Sequence, residues 1–455
     1  MWDVVVVGAG LAGCAAALAA VRAGGAVLLL ESEEAPGGNS RISAGLVALA
    51  GTLLQAQADV ADGPDRLFDD LCATGGGAND PVLIRAYAEG QTSLQHWFHH
   101  HGVDFTAVER GAGQSVARAH QMDAGAAIDA LVAAVRSSGV ELRTGIKVLR
   151  LHRASYGLQL ETAQGMEAAV AVVLATGGFT ASDELLGTFA PEQKAAISVG
   201  MPGCRGDGLR MGWALGAGMR DMGSIKGTFG AHADSGGDAY HALLAFYMGG
   251  VVVNRDGRRF VNEELPYKLL GDACLGQPGG TAFQVFDDAV MQRSEPDLKL
   301  FDPLAQRRAG RVWAASDLPE LARLCDIDPV RFEATVSEYN DGIEAGRDAW
   351  GRIGLCNGSG ALVPLRRPPF YAFPCGTALL ATYCGLRISP HGQVLDVWDQ
   401  PIAGLFAAGE VAGGFHGTAY MTGAALGAAA FFGDRAGRAA ANHASGSQEQ
   451  QGRST

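Results

Sequence analysis

Apolar and polar positions lay out the elements of this chain. Residues 3–7, DVVVV, form an almost unbroken apolar run, which predicts a strand buried on both faces. The run breaks at GAGLAG and gives way to an Ala-rich stretch, Cys14–Arg22, that reads as a helix. A glycine pair at 24–25 ends it, and Ala26–Leu30 is a second apolar strand. A strand–helix–strand unit of this length predicts parallel pairing. Two later stretches, AAVAVVLATGGF (168–179) and PIAGLFAAGEVAGG (401–414), repeat the pattern of an apolar strand running into glycines. The last residues are polar and low in complexity, so 444–455 is expected to be a flexible tail.

Glycine spacing gives the first unit its chemistry. Gly8, Gly10 and Gly13 make G-x-G-x-x-G directly after a strand and at the start of a helix. Gly8 suits a tight turn, Gly10 a close approach to a pyrophosphate, and Gly13 close helix–strand packing. Leu11 and Ala12 lie at the helix N-terminus, where free N–H groups favour an anion. Glu31 ends the second strand. It is placed to accept hydrogen bonds from a ribose and to repel a 2′-phosphate.

A second loop separates FAD from NAD. ESEEAPGGNSRISAGL carries on from Glu31 through Gly37, Gly38, Asn39, Ser40, Ser43 and Gly45. A long, extended FAD needs such a loop and a nicotinamide site seldom does. Ala175, Thr176 and Gly177 end the third strand, and Gly409 and Glu410 end the fourth. In a doubly wound sheet these ends gather at one crevice. Together they resemble the FAD domain of the glutathione-reductase-type flavoproteins. The expected FAD set also includes Val148, Asp207, Ala424 and Leu426. The fold class is α/β, a Rossmann-like FAD domain with an inserted α+β cap.

The middle of the chain narrows the resemblance. CRGDGLRMGWALGA (204–217), GGVVVNRDGRRFVNEE (249–264), QPGGTAFQVFDD (277–288), ATVSEYNDGIEAGRD (334–348) and RPPFYAFPC (367–375) occur in that order. This resembles the fumarate reductase/succinate dehydrogenase flavoprotein superfamily, including its 3-ketosteroid dehydrogenases and tricarballylate dehydrogenase. The resemblance implies an FAD domain of 1–226 plus 371–443, a cap at 227–370, and substrate between cap and flavin. Closing a cap excludes water from the reacting centre.

Several fumarate-binding residues of that family have no counterpart here. Where its fumarate reductases have His-Thr-x-Gly-Gly, this chain reads LATYCGL, with Ala381 at the histidine position. Tyr420, in TAYMTGAA, takes the place of a carboxylate-binding arginine. After the FDD run come Ala289, Val290 and Met291, with Arg293 two places on. Losing two or three charged anchors costs a dicarboxylate several kcal/mol, at ~1.5–3 kcal/mol each. The first histidine is His96, far beyond the second glycine loop, so FAD is expected to be noncovalent.

The ketosteroid branch resembles the remaining pattern better. There, a tyrosine placed like Tyr267 in FVNEELPYKLLG removes the substrate proton. A C-terminal tyrosine followed by glycines binds the ketone oxygen with help from a backbone N–H, and its candidates here are Tyr420 with Gly423 or Ala424. A phenol and an amide aimed at a developing oxyanion stabilise it. A second phenol, lowered in pKa, can act as base. The expected catalytic set is Tyr267, Tyr420, Gly423, His416 and Glu264. Arg118, His120, Arg293 and Arg387 are the anchors a polycarboxylate substrate would need, and Tyr240, His241 and Tyr247 are cap residues near the pocket.

Composition removes other classes. The 455 residues carry a formal net charge of −13, which disfavours nucleic acid and anionic membranes as partners. The eight cysteines form no metal-ligand or CxxC spacing, which suits a reducing cytoplasm, and no metal is expected. No apolar run is long enough to span a bilayer. The expectation is an FAD-dependent dehydrogenase that desaturates a C–C bond α,β to a carbonyl. A cyclic ketone is favoured, with hydride passing to flavin N5 and electrons leaving to an external acceptor or O₂. The alternatives are a polycarboxylate dehydrogenase and an ene-reductase of the fumarate reductase type. A non-catalytic flavin electron carrier is disfavoured by the full cap insert.

Overall fold

The computed structural model describes residues 1–236, 239–355 and 360–452, with side chains to 447. Its first sheet is the predicted one. The strands Gln393–Leu395, Pro401–Ala407, Gly165–Leu174, Trp2–Val7, Val27–Leu30 and Glu141–Arg143 lie side by side in that order. Neighbours along this order pair in parallel except the antiparallel edge pair Gln393–Leu395 with Pro401–Ala407. Leu158–Thr162 adds antiparallel to Gly165–Leu174, and Val148–Arg153 antiparallel to Leu158–Thr162. The apolar runs are central: Val4, Val5, Val6, Val172, Val173 and Leu405 are fully buried. Strands covered on both faces need this unbroken apolarity. The carboxyl ends of Trp2–Val7, Gly165–Leu174 and Pro401–Ala407 therefore open on one crevice.

Small residues on two helices explain the close packing behind that crevice. Leu11–Arg22 lies against the long helix Ala424–Gly452. A Cβ on Gly433 would meet the Ala12 carbonyl oxygen at 2.5 Å, and one on Gly437 the Ala16 oxygen at 2.0 Å. The Gly/Ala run is thus a helix-contact surface. The helix also continues through most of the segment expected to be a flexible tail. Ala444 is buried there, and propagating a formed helix is inexpensive.

A second sheet is built on the strand Phe370–Leu379, which pairs antiparallel with Thr281–Asp287, Thr228–Ala231 and Trp313–Ala315. The expected return to the first domain at 371 falls inside this strand. Its aromatic core, with Phe229, Phe246, Phe283, Phe286 and Phe373, is separate from that of the parallel sheet. Tyr420 packs against both cores. Among the described residues no helix is long and apolar enough to cross a membrane.

Candidate active site

A cleft with about 1980 Å³ of empty space, including its open part, runs from the glycine turn to the seam between the two cores.

The dinucleotide end is built by the glycine turn and the loop after Glu31. Gly8 has φ +103°, and a Cβ there would lie 2.4 Å from the Ala175 carbonyl oxygen. The Glu31 carboxylate accepts from Ala9 N–H at 2.7 Å, Glu33 N–H at 3.0 Å and Ser32 Oγ at 3.2 Å. A carboxylate offers roughly four lone-pair sites, so it can take one more donor. Ser40 Oγ accepts from Leu11 N–H at 3.3 Å, tying the second loop to the helix N-terminus. Asn39 donates to the Leu380 carbonyl at 2.8 Å and to Glu410 at 3.2 Å. The Thr176 hydroxyl lines the cleft, is buried and has no partner in the protein. An orphaned hydroxyl beside a glycine turn fits a polar cofactor.

Gly8, Gly10, Leu11, Ala12, Glu31, Gly38, Asn39, Ser40, Ser43 and Gly45 line this cleft. So do Val148, Ala175, Thr176, Gly177, Asp207, Gly409, Glu410 and Leu426. Gly13 and Ala424 do not. A Cβ on Gly13 would fall 1.8 Å from the Gly8 oxygen, so it is a packing glycine. Ala424 is wholly buried at the start of its helix.

The inner end is aromatic. Tyr240, Tyr267, Tyr383, Tyr420 and His416 all line it. Tyr420 stacks on Tyr383 at 4.9 Å between centroids, and His416 lies 5.4 Å and Tyr267 6.1 Å from the Tyr420 ring. The Tyr420 oxygen accepts from Gly423 N–H at 2.9 Å. Gly423 was expected to offer its amide to substrate. Instead the chain turns that amide onto the phenol, and Gly423 itself does not line the cleft.

Burial controls the charges here. It pushes Tyr420 up to about 12, against the nearby Gly423 and Ala425 amides, which pull it down. Tyr267 is pushed well above the usual phenol range, first by burial and then by neighbouring phenols, with Thr422 opposing. The expected lowering of a base phenol is therefore reversed, because burial and the neighbouring phenols outweigh the Thr422 hydrogen bond. His416 is drawn down to about 3 by burial and by Lys268, so its imidazole is neutral. Burial also raises Glu410, opposed by hydrogen bonds from Thr382 and Asn39.

Other expected residues lie elsewhere. Glu264 accepts from Ile353 N–H at 3.0 Å and does not line the cleft. Arg118 is wholly buried on Asp62 at 2.9 Å and Asp70 at 3.1 Å. His120 bonds Thr52 at 2.7 Å and the Arg118 carbonyl at 2.8 Å. Arg293 donates to the Met248 carbonyl at 2.6 Å, and Arg387 pairs with Asp399 at 2.5 Å. No arginine lines the cleft among the described residues. Its one lysine, Lys147, pairs with Asp207 at 2.8 Å, at the dinucleotide end. Sequence reasoning missed Tyr383, Thr228 and Lys268. Tyr383 lies in the quoted LATYCGL and Lys268 directly follows Tyr267, so position was the available signal.

Comparison with known proteins agrees with this geometry. The FAD binding domain family model matches residues 3–426, and the chain belongs to that family. It is 32% identical to the probable fumarate reductase Ifc3 of Shewanella frigidimarina over 97% of this chain and 75% of that one. The open conformation of a flavocytochrome c3 fumarate reductase superposes with a TM-score of 0.80 at 30% identity, covering 97% of this chain and 78% of that one. The 3-ketosteroid-Δ4-(5α)-dehydrogenase of Rhodococcus jostii RHA1, solved with 4-androstene-3,17-dione, gives 0.76 at 25%, covering 97% and 96%. The protein is an FAD-dependent oxidoreductase of the fumarate reductase/succinate dehydrogenase flavoprotein superfamily, acting on CH–CH groups.

Proposed function

We propose that this enzyme interconverts a carbonyl-conjugated C=C bond and its saturated partner on a neutral ring ketone. One observation carries the reading. The Tyr420 oxygen accepts a backbone N–H bond from Gly423 at 2.9 Å. Its own proton is thereby left to donate into the cleft, where a substrate carbonyl would take it. The bound flavin supplies hydride transfer at the β carbon. Tyr420 steadies the charge that builds on the carbonyl oxygen as the α carbon loses or gains its proton. Tyr267, 6.1 Å away between ring centroids, exchanges that proton. Neutral His416 and Tyr383 exclude water and hold the ring substrate. The second sheet acts as the cap, the electron acceptor is separate, and FAD is held without a covalent bond by Glu31 and the two glycine loops.

The Shewanella relative is named for fumarate, whereas the Rhodococcus structure holds a neutral ring diketone. Arg118 and Arg387, held by carboxylates, and Arg293, held by the Met248 carbonyl, lie outside the cleft, which supports the second comparison. The upward shift of Tyr267 favours the reducing direction, because a phenol that keeps its proton donates it without activation, whereas desaturation must first ionise it. Anaerobic flavin spectra with cyclic ketones, cyclic enones, fumarate and tricarballylate test the reading. Enones should reoxidise the reduced protein and fumarate should not. Rapid reoxidation by fumarate alone would overturn it.

A further inference from the structure

Beyond the phenols, the inner end holds a wholly buried lysine that no step above uses. Lys268, 1% exposed, lies in the first turn of the helix Tyr267–Leu275. Its Nζ donates to the Lys226 carbonyl at 2.9 Å and to the Thr228 hydroxyl at 2.8 Å. It also stands 4.6 Å from the centre of the Tyr383 ring and 5.9 Å from that of Tyr420. Burying an amine is costly unless its donors are used, and here two acceptors and a ring face use them. Thr228 lines the cleft, while Lys268 sits behind it. A hydroxyl oxygen that accepts from an amine keeps its proton for another acceptor, and none of the described residues takes it.

We propose that Thr228, oriented by Lys268, is a second substrate-binding hydroxyl, so that the preferred substrate is a ring ketone with a second acceptor oxygen. This rests on the ring-ketone reading above. Tyr420 takes the reacting carbonyl, and Thr228 donates to the other oxygen, which fixes the ring's register over the reacting carbons. Lys268 acts through Thr228 and Tyr383 and is a positioning residue. Burial pulls it down to about 7, with Glu410 and Asp272 opposing. Its Nζ can donate to Thr228 as ammonium or as amine.

Binding of cyclohexanone and cyclohexane-1,4-dione to the oxidised holoenzyme, read by the shift in flavin absorbance, tests this. The dione should bind at least tenfold more tightly. Thr228→Val should bring the two within about twofold, Thr228→Ser should restore the preference, and Lys268→Met should reduce it. Tyr420→Phe should weaken both ligands alike. Equal binding by wild type, or a preference that survives Thr228→Val, overturns the second hydroxyl and leaves the ring-ketone reading standing. Failure of both ketones to bind wild type overturns both.

Discussion

Tyr383 and Tyr420 lie face to face, 4.9 Å apart and 15° from parallel, and Tyr383 achieves this with a backbone φ of +54°. A non-glycine residue in that region costs of order 1–3 kcal/mol. The surrounding structure sustains the strain by placing Lys268 on the Tyr383 ring. The stack and the Gly423 amide fix both ends of the Tyr420 phenol, so its hydroxyl is preorganised and need not search.

Tyr420→Phe tests that preorganisation directly. It removes the donor and keeps the stacked ring. Flavin reduction or reoxidation by a ring substrate should slow by ~10²–10³-fold, as for loss of one oxyanion donor. FAD content should not change. A wild-type rate in stopped-flow absorbance would remove Tyr420 from the mechanism.

Tyr267 should show its role through pH. Its phenol is held well above the ordinary range by burial, so it keeps its proton through neutral pH. Enone reduction, which uses the protonated phenol, should be nearly flat from pH 6 to 9. Desaturation needs the ionised form and should rise with pH over that window. Tyr267→Phe should slow both and abolish the rise. A desaturation rate independent of pH in the wild type would count against Tyr267 as the proton carrier.

Glu31→Ala should weaken FAD binding by about 1.5–3 kcal/mol, the usual cost of losing a hydrogen bond to a charged group. The carboxylate already holds Ala9 N–H at 2.7 Å, so the glycine turn loosens as well. Titration of apo-protein with FAD measures this, and acid or heat should release the flavin from wild type. Unchanged affinity would contradict the assignment.

Much of the dinucleotide end was legible because its physics is local. Gly8, Gly10 and Glu31 act at fixed offsets within one βαβ unit, and period and spacing reveal them. Gly13, read as a packing glycine, packs against the Gly8 carbonyl as that reading implies. Ala424 marks the limit, since sequence cannot say which face of a helix start looks at ligand and which is buried. The inner end was less legible because it is assembled across the chain. Thr228, Lys268, Tyr383 and Tyr420 come from four segments joined only when the second sheet packs on the first. Burial then reversed the expected lowering of Tyr267. Glu264 was placed by proximity to Tyr267, yet the turn before the helix sends it to Ile353 N–H.

The Gly/Ala run after Tyr420 predicts a stability effect remote from the chemistry. A Cβ on Gly437 would sit 2.0 Å from the Ala16 carbonyl oxygen. Gly437→Ala must therefore push two helices apart, which costs about 1–3 kcal/mol despite the gain in helix propensity. Gly446, with nothing within 4 Å of its would-be Cβ, is the control, and alanine there should be neutral or stabilising. Thermal unfolding of the holo-proteins separates the two.

Lys268 should leave a signature in the pH dependence of stability. Burial lowers it from 10.5 to about 7 in the folded chain, while the unfolded chain keeps the higher value. Between these limits the unfolded state binds more protons, so this residue's contribution to stability rises with pH from about 7 to 10.5 and is lost as pH falls. The slope is at most about 1.4 kcal/mol per pH unit for one proton. Glu410 and Asp272 face the amine and pull the folded value back up, which narrows the window. Buried phenols and thiols, raised in the folded state, act in the opposite sense at alkaline pH, so the informative quantity is a difference. Denaturant midpoints of wild type and Lys268→Met should be compared from pH 6.5 to 9.5. The variant's advantage should be largest at pH 6.5 and shrink steadily as pH rises. A constant offset across that range would mean that Lys268 does not change its protonation on folding.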